Sequence, residues 1–263
     1  MTPAPREEWH FDTRHLGRRV LVYDELDSTN EFARQLSEPV AIIALHQTAG
    51  RGRFGRVWRS RPGSALLISV ILHPPMNLKR PSVLTAWAAV AVAEAAEKLA
   101  GVKAVIKWPN DLLVNGQKIC GILIEQSAAT IVGIGLNLNQ TREEFDAAGL
   151  PLAASLGSLS GTNVELQAAA EAVIRSLDDE YHTMLADRAL VEEKWRTCTG
   201  LLGEFVEVER SDGSRVTGHL LRMTFDELEL DPGERLGMAP ETVEHVRIIS
   251  EQESRRSDPG RTQ

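Results

Sequence analysis

KAVIKWPNDLLVNGQKICGILIEQSAATIVGIGLNL, residues 103–138, alternates short apolar runs with turn signals. Residues 103–107 and 111–115 read as strands separated by Pro109, which has no N–H for a ladder and so marks a bend. Asn115-Gly116 is a strong hairpin signal, since a two-residue hairpin turn needs residues that tolerate positive φ. It leads into strands at 118–126 and 130–138. Strands joined this tightly pair antiparallel.

Upstream, helices and strands alternate. Residues 20–26 (VLVYDEL) predict a strand, and Ser28-Thr-Asn-Glu31 has the S-x-x-E spacing of a capping box opening a helix through Leu36. Residues 40–46 and 65–72 are apolar runs suited to buried strands, with a glycine- and arginine-rich stretch at 50–63 between them. Residues 82–100 are alanine-rich and helical, with a stop at Gly101. Downstream, 163–196 predicts one or two helices, with Leu166, Ala169, Ala170, Val173 and Leu177 at helical spacing. Beyond Gly200 the period changes to short strands at 204–210, 215–224, 226–231 and 243–249, with a turn at 211–214. These predict a small barrel. The domain expectation is an N-terminal extension (1–19), an α/β domain (20–198), a C-terminal barrel (199–250) and a disordered, charged tail (251–263).

Composition excludes several classes. With 43% hydrophobic and 25% charged residues among 263, the chain has globular composition and enough length for a real core. Its longest apolar run, Val83–Ala93 counting Thr85, is about half of the roughly 20 residues a membrane helix needs. The N-terminus lacks the apolar core of a secretory signal, and two cysteines, Cys120 and Cys198, make neither a disulfide framework nor a metal quartet. The expectation is a cytoplasmic protein.

Net charge is −8, against general nucleic-acid binding. Yet Pro39–Ala93 holds seven basic residues and no acid, while the remainder carries −15. An acidic chain with one basic window aims it at an anion, unless the window is a solvated face.

Gly50-Arg-Gly-Arg-Phe-Gly55 lies in that window and matches G-x-G-x-x-G. A dinucleotide fold needs this motif to open a helix with an acid about 20 positions later. Here Pro62 and Gly63 break any helix, and the next acid is Glu94. Val57 extends the kinase glycine-loop pattern, but V-A-I-K, H-R-D and D-F-G are absent. What the loop offers is close backbone approach at its glycines and forked donors from Arg51, Arg53 and Arg56 for carboxylate or phosphate oxygens. Five arginines within eleven residues repel one another, so the empty loop is expected to be floppy. Phe54 and Trp58 leave open an RNA-binding basic loop with stacking aromatics.

Three further blocks narrow the reading: Asp27-Ser-Thr-Asn30, Lys107-Trp-Pro-Asn-Asp111 with Lys118 and Gly121 behind it, and Gly133-Ile-Gly-Leu-Asn137. With His46–Trp58 (HQTAGRGRFGRVW), in this order, they resemble the biotin protein ligase family over roughly residues 20–250. The one departure, Cys120 where small apolar residues are common, touches no chemistry.

The resemblance implies a mixed-sheet α/β catalytic domain of the biotin/lipoate ligase type, followed by a small SH3-like β-barrel. It implies ATP-dependent formation of biotinyl-5′-AMP and transfer of biotin to a lysine of a biotin carboxyl carrier protein, with Mg²⁺. Ser28, Thr29, Asn30, Gln47, Gly50, Arg51, Gly52, Arg53, Lys118 and Gly121 then fall on biotin-binding positions. Arg53, Arg56, Trp58, Lys107, Asn110 and Asn137 fall on ATP- or adenylate-binding positions, and Lys118 and Arg53 are the expected catalytic pair. Bland readings stand beside these: Ser28 as a helix cap, Trp58 as a core residue, Lys118 as a surface lysine, Asp111 as a structural hydrogen-bonding group, Asn139 in a turn. Joining two anions calls for positive charge more than for a base. The absence of G-x-S-x-G and H-E-x-x-H agrees with a reaction that needs no protein nucleophile, and the histidines form no i, i+4 pair, so no metal held by protein side chains is expected. Lipoate ligation is the alternative within the superfamily, and a non-catalytic nucleic-acid-binding module the alternative outside it. With some 20 residues before the first expected strand, the chain resembles the class without a DNA-binding module, so no DNA and no membrane partner is expected; monomer and homodimer stay open.

Overall fold

The run ALLISVIL is buried at all eight positions, as a strand must be when both faces of its sheet are covered. In the computed structural model, which describes residues 3–231, 236–251 and 253, it lies inside an eight-stranded sheet. The strands are β1 (Glu7–His10), β2 (Arg19–Leu26), β3 (Ala41–Gln47), β4 (Ala65–Leu72), β5 (Val105–Lys107), β6 (Asp111–Val114), β7 (Gln117–Gln126) and β8 (Thr130–Asn137). Their order is β1-β2-β3-β4-β8-β7-β6-β5. β2 and β3 pair parallel through α1 (Thr29–Ala33) and every other neighbouring pair is antiparallel, so the sheet is mixed.

β4 separates the two faces by its alternation. Leu66, Ile68, Val70 and Leu72 join the main core under α2 (Pro81–Ala100). Leu67, Ser69 and Ile71 point to the face that carries α1. The alanines of α2 let it sit close to the sheet and to α5 (Leu166–Ala186), where Trp87 is wholly buried and donates to the carbonyl of Leu177. Gly101 closes α2 at φ 65°, the left-handed conformation that suits glycine. The expected helical region 163–196 is two helices, α5 and α6 (Arg188–Thr199), because Asp187 leaves the helical conformation and caps the second.

Five further described strands, β9 (Phe205–Arg210), β10 (Arg215–Met223), β11 (Leu228–Asp231), β12 (Leu236–Met238) and β13 (Val243–Ile248), form an antiparallel sheet ordered β12-β11-β10-β9-β13. It is riveted to the large sheet. Trp108 donates to the carbonyl of Val243 at 3.3 Å, and Arg80 reaches Asp226 at 2.6 Å and Glu241 at 2.8 Å.

Several expectations need correcting. The segment before residue 20 supplies edge strand β1, and the Asp178 carboxylate holds it to α5 by accepting the amides of Arg14, His15 and Leu16 at 2.7–3.1 Å. The first helix ends at Ala33, not Leu36. Two short helices, α3 (Arg142–Ala147) and α4 (Leu156–Ser160), were not foreseen, although Thr141-x-x-Glu144 is a full capping box. Apart from Glu251 and Glu253, the tail expected to be disordered lies outside the described residues. No described helix is long and apolar enough to cross a membrane.

Candidate active site

A cavity of about 370 Å³ opens on the sheet face that carries α1. Its floor is glycine because side chains lie where Cβ atoms would be. A Cβ on Gly133 would stand 2.3 Å from Asn30 Oδ1, one on Gly135 2.6 Å from the Trp58 ring, and one on Gly121 3.0 Å from the same ring. The Gly-x-Gly of β8 thus lets Asn30 and Trp58 lie against bare backbone.

One end is a buried polar network. Thr29 donates to Gln47 Oε1 through its amide (2.7 Å) and its hydroxyl (3.1 Å). Ser69 Oγ lies 2.7 Å from Thr29 Oγ1 and 2.6 Å from Asn30 Oδ1, and the Asn30 amide donates to Glu125 at 2.7 Å. The buried side chains of Thr29, Asn30 and Ser69 are each bonded, as burial demands, while Gln47 uses only its oxygen. Ser28 also caps α1, its Oγ accepting from Glu31 N at a long 3.5 Å. Ser69 and Glu125 were missed. The one signal for Ser69 was a single hydroxyl in an otherwise apolar strand; Glu125 offered none.

The arginine loop is folded back on itself and finds acid partners that its own sequence does not supply. Its arms close as a small hairpin, with Trp58 N on Gly50 O at 3.0 Å and Gly52 N on Arg56 O at 2.7 Å, around Phe54 at φ 56°. Arg51 pairs with Glu31 (3.0 Å) and Glu125 (3.1 Å), and Arg61 with Glu144 (3.0 Å). Acids from α1, β7 and α3 therefore supply partners that the local sequence lacks. Arg53, Arg56 and Arg59 make no ion pair among the described residues. Arg53 is part-buried and reaches Asn110 Oδ1 at 3.5 Å; burial lowers its pKa from the ordinary arginine value, opposed by Glu244 and Asp111.

Lys118 faces the cavity because of a β-bulge. Leu112 pairs with Cys120 and Leu113 with Lys118, so Ile119 is an extra residue. Strict alternation would put Lys118 on the core face with Cys120; the bulge turns it to the face of Gly121. Its ammonium lies 2.7 Å from Asp111 Oδ1 and 5.7 Å from the centre of the Trp58 ring.

Fourteen of the expected site residues line this one cavity: Ser28, Thr29, Asn30, Gln47, Arg51, Gly52, Arg53, Arg56, Trp58, Lys107, Asn110, Lys118, Gly121 and Asn137. Gly50 does not. It is buried behind the wall, where a Cβ would stand 2.6 Å from Trp58 O. Asn110 ties the Pro109 bend to β7, its amide donating to Ile122 O at 2.9 Å. Asn137 is buried and donates to Ala154 O at 2.9 Å, so part of its capacity is structural. Asn139 is no turn residue: it clamps Val164 through two bonds, at 2.8 and 2.9 Å. Phe145, Leu150 and Ala153 complete the wall, and His245 of β13 reaches it from the smaller sheet.

The biotin/lipoate A/B protein ligase family model matches residues 17–139. A biotin–[acetyl-CoA-carboxylase] ligase of Mycobacterium tuberculosis is 32% identical over 212 residues, 76% of this chain and 78% of that protein. The chain belongs to the biotin protein ligase family. Another relative, the bifunctional ligase/repressor of Bacillus subtilis, is 36% identical over 180 residues, and this chain spans only 55% of its length. The biotin protein ligase from Aquifex aeolicus in complex with biotin and ATP shares the fold at TM-score 0.74 and 25% identity, over 88% of this chain and 99% of that one. This biotin protein ligase family member thus has both the large mixed sheet and the C-terminal antiparallel sheet of its solved relative.

Proposed function

We propose that the chain condenses biotin with ATP to form biotinyl-5′-AMP and pyrophosphate, then transfers biotin to one lysine of a biotin carboxyl carrier protein. The observation that carries this reading is a single cavity with a neutral polar network at one end and Lys118, Arg53 and Arg56 further along its wall. Biotin has the same asymmetry, a neutral urea at one end and a carboxylate at the other. Residues 20–198, with β1 added, form the catalytic domain in this reading, and residues 199–250 an SH3-like accessory barrel.

Gln47, Thr29, Ser28 and Asn30 match a urea, which presents one acceptor and two N–H donors. The Gln47 NH₂ group has no partner among the described residues and is available to the urea carbonyl. Trp58 supplies a flat face for adenine, with Asn110, Asn137 and Lys107 along the nucleotide. When the carboxylate oxygen attacks the α-phosphorus, the bond to pyrophosphate breaks and charge accumulates on the phosphoryl oxygens. In this reading Lys118 and Arg53 are the donors for that charge. The carrier's amine then attacks the acyl carbon and AMP leaves, so no protein nucleophile is required. Mg²⁺, when bound, would lower phosphate repulsion and would be carried mostly by the phosphates. Among the described residues no three side chains gather as a cation site, and Asp111, the cavity's single carboxylate, is already engaged by Lys118.

Pyrophosphate exchange into ATP, measured with biotin, with lipoate and with neither, tests the reading. Biotin-dependent exchange, followed by label transfer to a carrier domain, supports it. Exchange with lipoate alone, or with neither acid, refutes it.

A further inference from the structure

We propose that Arg142 is a positioning residue, which holds the chain at 150–153 against the bulged start of β7 and thereby fixes Lys118. The inference rests on the catalytic role proposed above for Lys118. Arg142, at the first position of α3, lies outside the cavity, and its guanidinium donates to three main-chain carbonyls: Leu150 at 3.1 Å, Pro151 at 3.2 Å and Ala153 at 2.9 Å. Asp146, one turn along the helix, accepts from its Nε at 3.1 Å and sets the plane of the fork. A planar group with five N–H donors can do this; an ammonium cannot.

The latched segment acts directly on Lys118. Lys118 N donates to Leu152 O at 2.7 Å, and Ala154 N donates to Lys118 O at 2.9 Å, a short parallel bridge added beside β7. Lys118 adjoins the bulge, where the ladder to β6 is disrupted, so its main chain depends on this bridge. Apolar burial holds the segment weakly, since Leu152 is 72% exposed and Leu150 43%. The fork is the side-chain tether of 150–153, beside the main-chain bond from Leu150 N to Phe145 O at 2.8 Å and the burial of the small Ala153 side chain. Leu150 and Ala153 also line the cavity, so the same latch shapes the wall beside Lys118.

The test uses Arg142→Ala and Arg142→Lys in the full chain. Hydrogen exchange without ligand is read at the amides of Lys118 and Ala154, with the amides of β3 and β4 as the folding control. The expected result is at least tenfold faster exchange at those two amides in both variants and no change in the control strands. Maximal biotin-dependent pyrophosphate exchange should fall at least tenfold in both. Wild-type protection at the two amides, or full activity in Arg142→Lys, overturns the proposal. Faster exchange at the amides with a turnover rate within threefold of wild type also overturns it, since Arg142 then holds the segment without positioning Lys118. An inactive wild-type chain counts against the ligase reading instead, and the exchange data still decide whether the latch exists.

Discussion

The Lys118 ammonium lies 2.7 Å from the Asp111 carboxylate, across the β-bulge that turns Lys118 toward the cavity. Asp111 belongs to the KWPND block and Lys118 follows the next turn, so one hairpin delivers both members of the pair. The carboxylate holds the ammonium in place in the free protein. In the proposed reaction a carboxylate and a phosphoryl group entering the cavity would compete with Asp111 for it, so the charge would be positioned before it is needed.

Lys118→Ala should stay folded, because the side chain lies beyond the Asn115-Gly116 turn and its main-chain bridge to 152–154 does not need it. A donor aimed at developing charge is worth about 3–4 kcal/mol, so maximal pyrophosphate exchange should fall roughly 100- to 1,000-fold at saturating ATP and biotin. A rate within tenfold of wild type would reduce Lys118 to a ligand contact.

Gly133→Ala places a methyl group 2.3 Å from Asn30 Oδ1, in a network where Asn30 has no slack. The expected cost is about 1–3 kcal/mol of stability. The biotin KM should rise about tenfold or more on the same reasoning. Urea unfolding and steady-state kinetics report the two effects, and an unchanged KM would show that Asn30 does not shape the biotin end.

Ser69→Ala removes a hydroxyl that is wholly buried and out of a ligand's reach. Losing its bonds to Thr29 and Asn30 should cost about 1–3 kcal/mol. The KM for biotin should rise while kcat stays near wild type. A fall in kcat at constant KM would contradict the assignment of Ser69 to the biotin end.

Glu180 carries a pH effect away from the site. Burial raises its carboxyl pKa above the ordinary 4.5, although Lys194 bonds one oxygen at 2.6 Å, and the other oxygen has no partner. A carboxyl with a raised folded-state pKa adds stability that is fully present below its unfolded value and lost as pH rises through the folded value. Wild type should therefore lose stability from pH 4.5 upward relative to Glu180→Gln, in thermal melts across the acid range. Parallel curves for the two proteins would remove Glu180 as the source.

How much was legible follows from the range of the interactions. Strands β2, β3, β4, β7 and β8, helix α2 and the hairpin at Asn115-Gly116 follow from hydrophobic period and turn chemistry, which act over a few residues. β1 has only four residues, and α3 and α4 six and five, too short for a period to show.

The sequence by itself determined which residues are candidates for the chemistry: the arginine loop, KWPND, Lys118 and the glycines of β8 all stand in it as local patterns. Tertiary structure alone decided how they are used. Glu125 lies 74 positions from Arg51 and 95 from Asn30, yet it bonds both and neutralises an arginine whose own neighbourhood holds no acid. The bulge at Ile119 reverses the face on which strict alternation would place Lys118. Patterning along a chain encodes short-range propensity, whereas the pairing of charges distant in sequence and the ladder register depend on which segments meet in space.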